Sequence, residues 1–273
     1  MLEKISLAGD LGSGKSTVSK ILIERLGAEY YSTGAIVRAV AEKRGMTVVE
    51  LNKYMETHPE LDHEIDDGLA KLSEVDKLLV IDSRMAWHFT KGTFKVYLST
   101  DIETSALRIM SANRSGEHAA TLEETIADTR ARRESEKKRY LEQYGVDIKD
   151  LTNYSLIVDT TVANPDEVGE CIISGFTRWI GDKSYNAAFI SPERLRFPER
   201  EIDPEALSSL LGKLERGEEL TDVKVVEEDG EFYLIDGFES AMAYAFSMAT
   251  YIPARLVKDE KLSTDYVRIK NSL

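Results

Sequence analysis

The chain has 273 residues, 42% hydrophobic and 31% charged, enough apolar material for a packed core, which excludes wholesale disorder. Lys and Arg number 35 against 49 Asp and Glu, a formal charge of −14, so the surface as a whole is not built for polyanions and nucleic acid is not an expected partner. The one cysteine, Cys171, excludes an intrachain disulfide and fits a reducing, cytoplasmic setting; the first ten residues carry no apolar signal core, and the longest wholly apolar run, Ala241 to Phe246, is far too short to span a membrane.

In chain order, KISLAG predicts a short buried strand, and KSTVSKILIERL a helix with Val18, Ile21, Leu22 and Leu26 on one face and Gly27 as its stop. AEYYS is a second strand and TGAIVRAVAEKR a helix ended by Gly45. An acid-rich helical stretch follows from Val48 to Val75, broken near Pro59. KLLVID, FKVYLS and YSLIVDT read as three further buried strands with helices between them, one running from about Leu122 to Gln143 and a last from about Asp166 to Trp179. This alternation predicts an α/β fold: a parallel sheet with helices on both faces, spanning residues 1–181.

After GDKSYN, read as a linker, the chain changes character. FISPERLRF is extended, DPEALSSLLGKLERG helical, VKVVEEDGEFYLID a hairpin turning at Asp229-Gly230, GFESAMAYAFSMA a small-residue helix and YIPARLV a closing strand. Residues 186–273 are therefore expected to form a small α+β domain.

The sharpest local signal is Gly9-Asp10-Leu11-Gly12-Ser13-Gly14-Lys15-Ser16, which fits G-x-x-x-x-G-K-[ST] between a predicted strand and a predicted helix. Glycines let successive backbone N–H groups face one concavity that accepts phosphate oxygens, and the helix that follows points its positive end there. Lys15 can reach the terminal phosphates and Ser16 can ligate Mg²⁺. Asp10 is electrostatically unhelpful beside phosphates, so its side chain is expected to point away. Ser32, Thr33 and Gly34 open a helix after the second strand, another place for an anion, with Arg38 one turn further in. Asp82 ends the third strand and Arg84 follows it, at the sheet's carboxyl edge where open α/β folds bind ligands. Six of the ten residues from Arg130 to Arg139 are basic, and Arg130, Arg133 and Lys137 share a helical face. Guanidinium groups so placed suit the charge that spreads over a transferring phosphoryl group.

With these motifs in this order, residues 1 to about 180 resemble compact, archaeal-type cytidylate kinases, within the nucleoside monophosphate kinases. The carriers are GDLGSGKST, STGAIVRAVAEKRGM, THPELDHEID, VIDSRMAW and RRESEKKRYLEQYGVDI. The resemblance implies phosphoryl transfer from ATP, with Mg²⁺, to a small phosphorylated acceptor, CMP or dCMP first. It implies catalytic roles for Lys15, Arg130 and Arg133, and ATP binding by Gly9, Gly12, Ser13, Gly14, Lys15, Ser16, Thr17 and Arg108. It further implies acceptor binding by Ser32, Gly34, Arg38, Asp62, Arg84 and Arg139, and a metal held by Ser16 and Asp82. A carboxylate is the natural acceptor for the cytosine amine, and Glu60, Asp62, Asp66 and Asp67 all lie in the acceptor segment. The chain departs from the family pattern at Ser105, where an arginine near the donor nucleotide is usual. Arg114 could substitute for it, and His118 reads as an exposed lid-tip residue. The expected alternatives are a kinase for another small metabolite and a non-catalytic ATP-sensing regulator.

More loosely, residues 186–258 resemble the N-terminal fold of the partition protein ParB, shared with sulfiredoxin. Where that fold carries a phosphate-gripping arginine, this chain reads Asp236-Gly237-Phe238-Glu239-Ser240, and residues 199–231 hold twelve acids against four bases. Phosphate binding is therefore not expected of this part; it reads as a scaffold, a protein-partner module, a surface for self-association or a small-molecule sensor.

Overall fold

The computed structural model describes residues 3–112, 121–258, 262 and 266–268. Its first half alternates as the sequence predicts: β1 (Lys4–Gly9), α1 (Lys15–Leu26), β2 (Glu29–Ser32), α2 (Thr33–Arg44), α3 (Val48–Met55), α4 (Glu60–Lys71), β3 (Leu79–Asp82), α5 (Ala86–Phe89), β4 (Thr93–Ser99), α6 (Ile102–Ser111), α7 (Leu122–Tyr144), β5 (Leu156–Asp159) and α8 (Pro165–Gly181). The helix ends have local causes. Ser32 caps α2, reciprocal Thr121–Glu124 hydrogen bonds open α7, and Asn164 with Pro165 opens α8. Pro59 separates α3 from α4.

The strands β2, β3, β1, β4 and β5 lie side by side and parallel. Every residue of β1 and of β5 is buried, as helices on both faces require. Since β1 leads over to β2 on one side and β4 lies on its other side, the strand order switches beside β1. The carboxyl ends of β1 and β3 meet at this switch point, where open α/β sheets form their clefts.

The second half supplies β6 (Ala187–Ile190), β7 (Leu195–Pro198), α9 (Pro204–Glu215), β8 (Lys224–Glu228), β9 (Glu231–Asp236), α10 (Phe238–Phe246), β10 (Ile252–Leu256) and β11 (Tyr266–Arg268). The β8–β9 hairpin turns through Asp229 (φ 51°) and Gly230 (φ 84°), the left-handed pair that the Asp-Gly sequence favours. Main-chain hydrogen bonding crosses the junction expected near residues 181–186. β6 pairs in parallel with β5 and antiparallel with β10, so among the described residues one sheet runs in the order β11-β7-β9-β8-β10-β6-β5-β4-β1-β3-β2. The core crosses too: Ala8, Tyr97 and Ile157 share a buried apolar cluster with Leu195, Phe232 and Ala241. No helix among the described residues is long and apolar enough to cross a membrane.

Candidate active site

The loop between β1 and α1 owes its shape to its glycines. Gly9, Gly12 and Gly14 have φ of 146°, 74° and 84°, conformations that side chains resist. A Cβ at Gly9 would lie 2.4 Å from the Leu98 carbonyl oxygen, and one at Gly12 2.6 Å from that of Ser105. The loop therefore packs closely against β4 and α6, and the Asp10 amide donates back to the Leu98 carbonyl at 2.9 Å. Gly12, Ser13, Gly14, Lys15, Ser16 and Thr17 line a cleft of about 410 Å³; Gly9 lies outside its lining and supports the loop from behind. The Lys15 ammonium lies within the loop, donating to the Gly9 and Asp10 carbonyls at 2.9 and 2.8 Å. Burial pulls its pKa down to about 8, against the attraction of Asp82.

Across the cleft stand Gly34, Arg38, Asp82, Arg84 and Arg132. Arg108 lines the cleft near the end of β5 and donates to the Thr160 carbonyl at 2.7 Å. The Asp82 carboxylate accepts from the Tyr30 hydroxyl at 3.1 Å. Ser32 caps α2, its hydroxyl accepting from the Ala35 amide at 3.3 Å, and braces the start of that helix from outside both cavity linings.

A second, narrower cavity shares Thr33, Gly34, Arg38, Arg84 and Arg132 with the cleft. Val37, Val48, Met55 and Ile65 contribute apolar wall, and Asn52, Asp62, Asp66 and Arg139 contribute polar groups. Buried Arg139 pairs with Asp62 at 2.7 Å and donates to the Asn52 carbonyl at 3.1 Å. Burial lifts the Asp66 carboxyl to about 6, although the Tyr144 hydroxyl donates to it at 2.7 Å. Asp62 and Asp66 thus face the cavity; Glu60 and Asp67 are exposed and line neither space.

The arginine-rich helix presents a different face from the one expected. Arg132, Glu136 and Arg139, spaced four and three residues apart, line the narrow cavity. Glu136 is buried between Arg84 and Arg132, the latter at 3.1 Å. Burial opposes its charge, but Arg84 and Arg132 outweigh burial and hold its carboxyl below the usual range. Arg130 and Arg133 are not brought to the cleft, a correction to their expected catalytic place. Each differs from Arg132 by one or two residues, and a step of one residue turns the side chain about 100° around a helix. Arg130 is exposed and lines a groove between α7 and the β8–β9 hairpin. Arg133 turns behind the phosphate loop, 3.4 Å from the Ser105 hydroxyl and 3.6 Å from Asp10.

That rear side explains two oddities of the sequence. The Asp10 side chain does point away: it accepts from the Tyr97 hydroxyl at 2.9 Å and the Thr100 amide at 3.0 Å, and pairs with Lys149. Burial opposes its charge, yet Lys149, Arg133 and these hydrogen bonds together hold its carboxyl well below the usual carboxylate range. Ser105 is wholly buried under the loop, where its hydroxyl bonds the Leu11 carbonyl. Position 105 thus braces the loop from behind, and it is Arg108 that faces the cleft. Arg114 and His118 lie outside the described residues. Sequence reasoning missed Arg132, Glu136, Asn52 and Thr160. The 132/136/139 spacing was a readable signal for the first two; Asn52 and Thr160 carried none.

A phosphate-shaped loop at the switch point of a parallel sheet, faced by guanidinium groups across a cleft, defines a phosphotransferase. Residues 4–162, more than half of the chain, match the model of the cytidylate kinase-like family. A cytidylate kinase of Thermoplasma volcanium is 37% identical over 63% of this chain and 90% of its own. An S-adenosylmethionine-dependent nucleotide dehydratase of Lacinutrix mariniflava is likewise 37% identical, over 65% of this chain but 37% of its own length. The solved sulfiredoxin of Arabidopsis thaliana covers 27% of this chain and 85% of its own at 20% identity with a TM-score of 0.25, too distant to carry any argument. The chain belongs to the cytidylate kinase-like family, and it is an enzyme of the nucleoside monophosphate kinase class.

Proposed function

We propose that the protein transfers the terminal phosphoryl group of ATP to CMP or dCMP. The observation that carries this reading is the shared neck: the loop-lined cleft and the narrow cavity meet at Gly34, Arg38, Arg84 and Arg132. ATP would lie along the loop with its base toward Arg108, and the acceptor's phosphate would sit at the neck. The acceptor phosphate oxygen is itself the nucleophile, so alignment and charge stabilisation suffice. Lys15, Arg84 and Arg132 are assigned to the transferring group, and Gly34 and Arg38 to the acceptor phosphate. The apolar wall suits a flat base, and Asp66 and Asp62 can accept from an exocyclic amine.

The relatives' names favour a cytidine acceptor. The Ser16 hydroxyl and the Asp82 carboxylate, both on the cleft, are the hard oxygen donors Mg²⁺ requires. No group of three or more potential His, Cys, Asp or Glu ligands occurs among the described residues, which fits an ion held chiefly by phosphate oxygens and water. When bound, Mg²⁺ would neutralise charge on the donor phosphates. The test is a coupled assay with ATP, Mg²⁺ and a panel of nucleoside monophosphates. CMP or dCMP should be the best acceptor; turnover confined to UMP, AMP or a non-nucleotide would overturn the assignment.

A further inference from the structure

Arg194 lies beyond the residues that match the family model, yet it is built in behind the turn that carries Thr160, a residue of the cleft lining. It is 3% exposed, and its partner Asp159, at the end of β5, is wholly buried. One guanidinium nitrogen donates to Asp159 at 3.3 Å and to the Thr161 hydroxyl at 3.0 Å; the other donates to the Gly230 carbonyl in the hairpin turn at 2.6 Å. Asp159 also accepts from the Thr161 amide and hydroxyl, at 3.1 and 2.6 Å, and from the Ser191 amide at 3.2 Å. These bonds fix the irregular turn after β5. That turn offers its Thr160 and Thr161 carbonyls, at 2.7 and 3.3 Å, to Arg108, and Thr160 itself lines the cleft. A continuous chain of charge-assisted hydrogen bonds therefore runs from the C-terminal hairpin to the donor side of the active site.

We propose that Arg194 is a positioning residue for the donor nucleotide, so that the C-terminal half of the chain completes the ATP site from behind. The planar fork is what the role demands. It spans a carboxylate, a hydroxyl and a carbonyl on two segments at once, which a point charge cannot do. Losing it leaves Asp159 buried with neutral donors only, and the turn relaxes away from Arg108. Arg194 needs to touch neither substrate nor metal. The proposal rests on the cleft being an ATP site, but not on the identity of the acceptor.

The test is direct titration of the full chain with Mg²⁺ and a non-hydrolysable ATP analogue, without acceptor, beside KM values for ATP and CMP and the melting temperature. Arg194→Met should weaken analogue binding about tenfold and raise KM for ATP alike, with KM for CMP nearly unchanged. In an Arg108→Ala background the same substitution should do much less, because the two act through one turn. If Arg194→Met does not fold, Arg194→Lys decides, keeping the charge and losing the fork. Unchanged analogue affinity in a folded variant, or donor and acceptor KM rising together in step with lost stability, overturns the proposal. Selective loss of analogue binding in a protein that phosphorylates no cytidine nucleotide would sustain it while refuting the acceptor assignment. A parent chain that binds no ATP analogue refutes both.

Discussion

The phosphate loop has two sides, and the same long helix supplies cations to both. In front, Arg132, Glu136 and Arg139 meet Arg84 and Asp62 along an open cavity. Behind, Arg133 joins Lys149 on the single carboxylate of Asp10. The chemistry of the two clusters is alike, but their surroundings differ. The front cluster borders a space large enough for a ligand, so its cations can exchange a carboxylate for a phosphate. Behind, Arg133 and Lys149 also border the groove toward the β8–β9 hairpin. Both nonetheless turn onto the Asp10 carboxylate, which Tyr97 and the Thr100 amide enclose, so their charges hold the loop. Composition counts both clusters equally, and only position around the helix separates substrate chemistry from support.

The largest effect expected belongs to the loop itself. Lys15→Ala should abolish phosphoryl transfer while leaving the melting temperature near that of the parent, because the ammonium's own bonds are to loop carbonyls. Measurable transfer at the parental rate would end the mechanism. Next come the front guanidiniums. Arg132→Ala should lower kcat by about 10²–10³, the scale seen when one charge-stabilising donor is removed. Arg133→Ala should act mainly on stability. Equal kcat losses from the two would erase the distinction between the sides.

The rear cluster also has a pH signature. The folded state holds Asp10 below the pKa of an unfolded Asp, near 4, so its ionised form contributes stability that is complete above that value. The contribution is lost as pH falls toward the folded-state pKa. Melting temperature followed from pH 7 to pH 2 should decline at the acid end, and Asp10→Asn should begin lower and decline less. A variant whose acid limb matches the parent's would show that Lys149 and Arg133 do not depend on this charge.

Asp66 gives a gentler test on the front side. Its carboxyl titrates near 6, so it is ionised above that pH and able to accept from a base amine. KM for the acceptor should rise about tenfold as pH drops from 7 to 5, following the loss of one charge. Asp66→Asn should raise KM at pH 7 and flatten that dependence. A steep dependence surviving in the variant would move base recognition to Asp62 or elsewhere.

Much of this was legible in the residues. The alternating apolar runs and helix stops placed the elements from β1 to α8, because each pattern reports on burial within its own segment. The loop was legible because glycine, lysine and serine at fixed spacing have one strong joint use. Other features were set by contacts between distant segments. Nothing in AAFI says that β6 will pair with β5, since an apolar strand states that it is buried and not beside which neighbour. Arg194 reads as one basic residue in an extended stretch; its role exists only because β6 delivers it to the end of β5. On α7 the local pattern was ambiguous, because with six bases in ten residues almost every face carries two.

The smallest effect expected is therefore the most pointed. Arg130 is on the same helix as Arg132, has the same charge, and differs by two residues. Its side chain is exposed and borders the groove toward the β8–β9 hairpin instead of the cleft. Removing an exposed charge away from the reacting atoms changes stability by no more than about 0.5 kcal/mol and leaves the neck's field in place. Arg130→Ala should keep kcat and both KM values within about twofold. The comparison with Arg132→Ala in the same assay measures how far helix register, rather than net charge, governs catalysis. A large kcat loss from Arg130→Ala would mean that α7 rotates during turnover and that its two faces exchange roles.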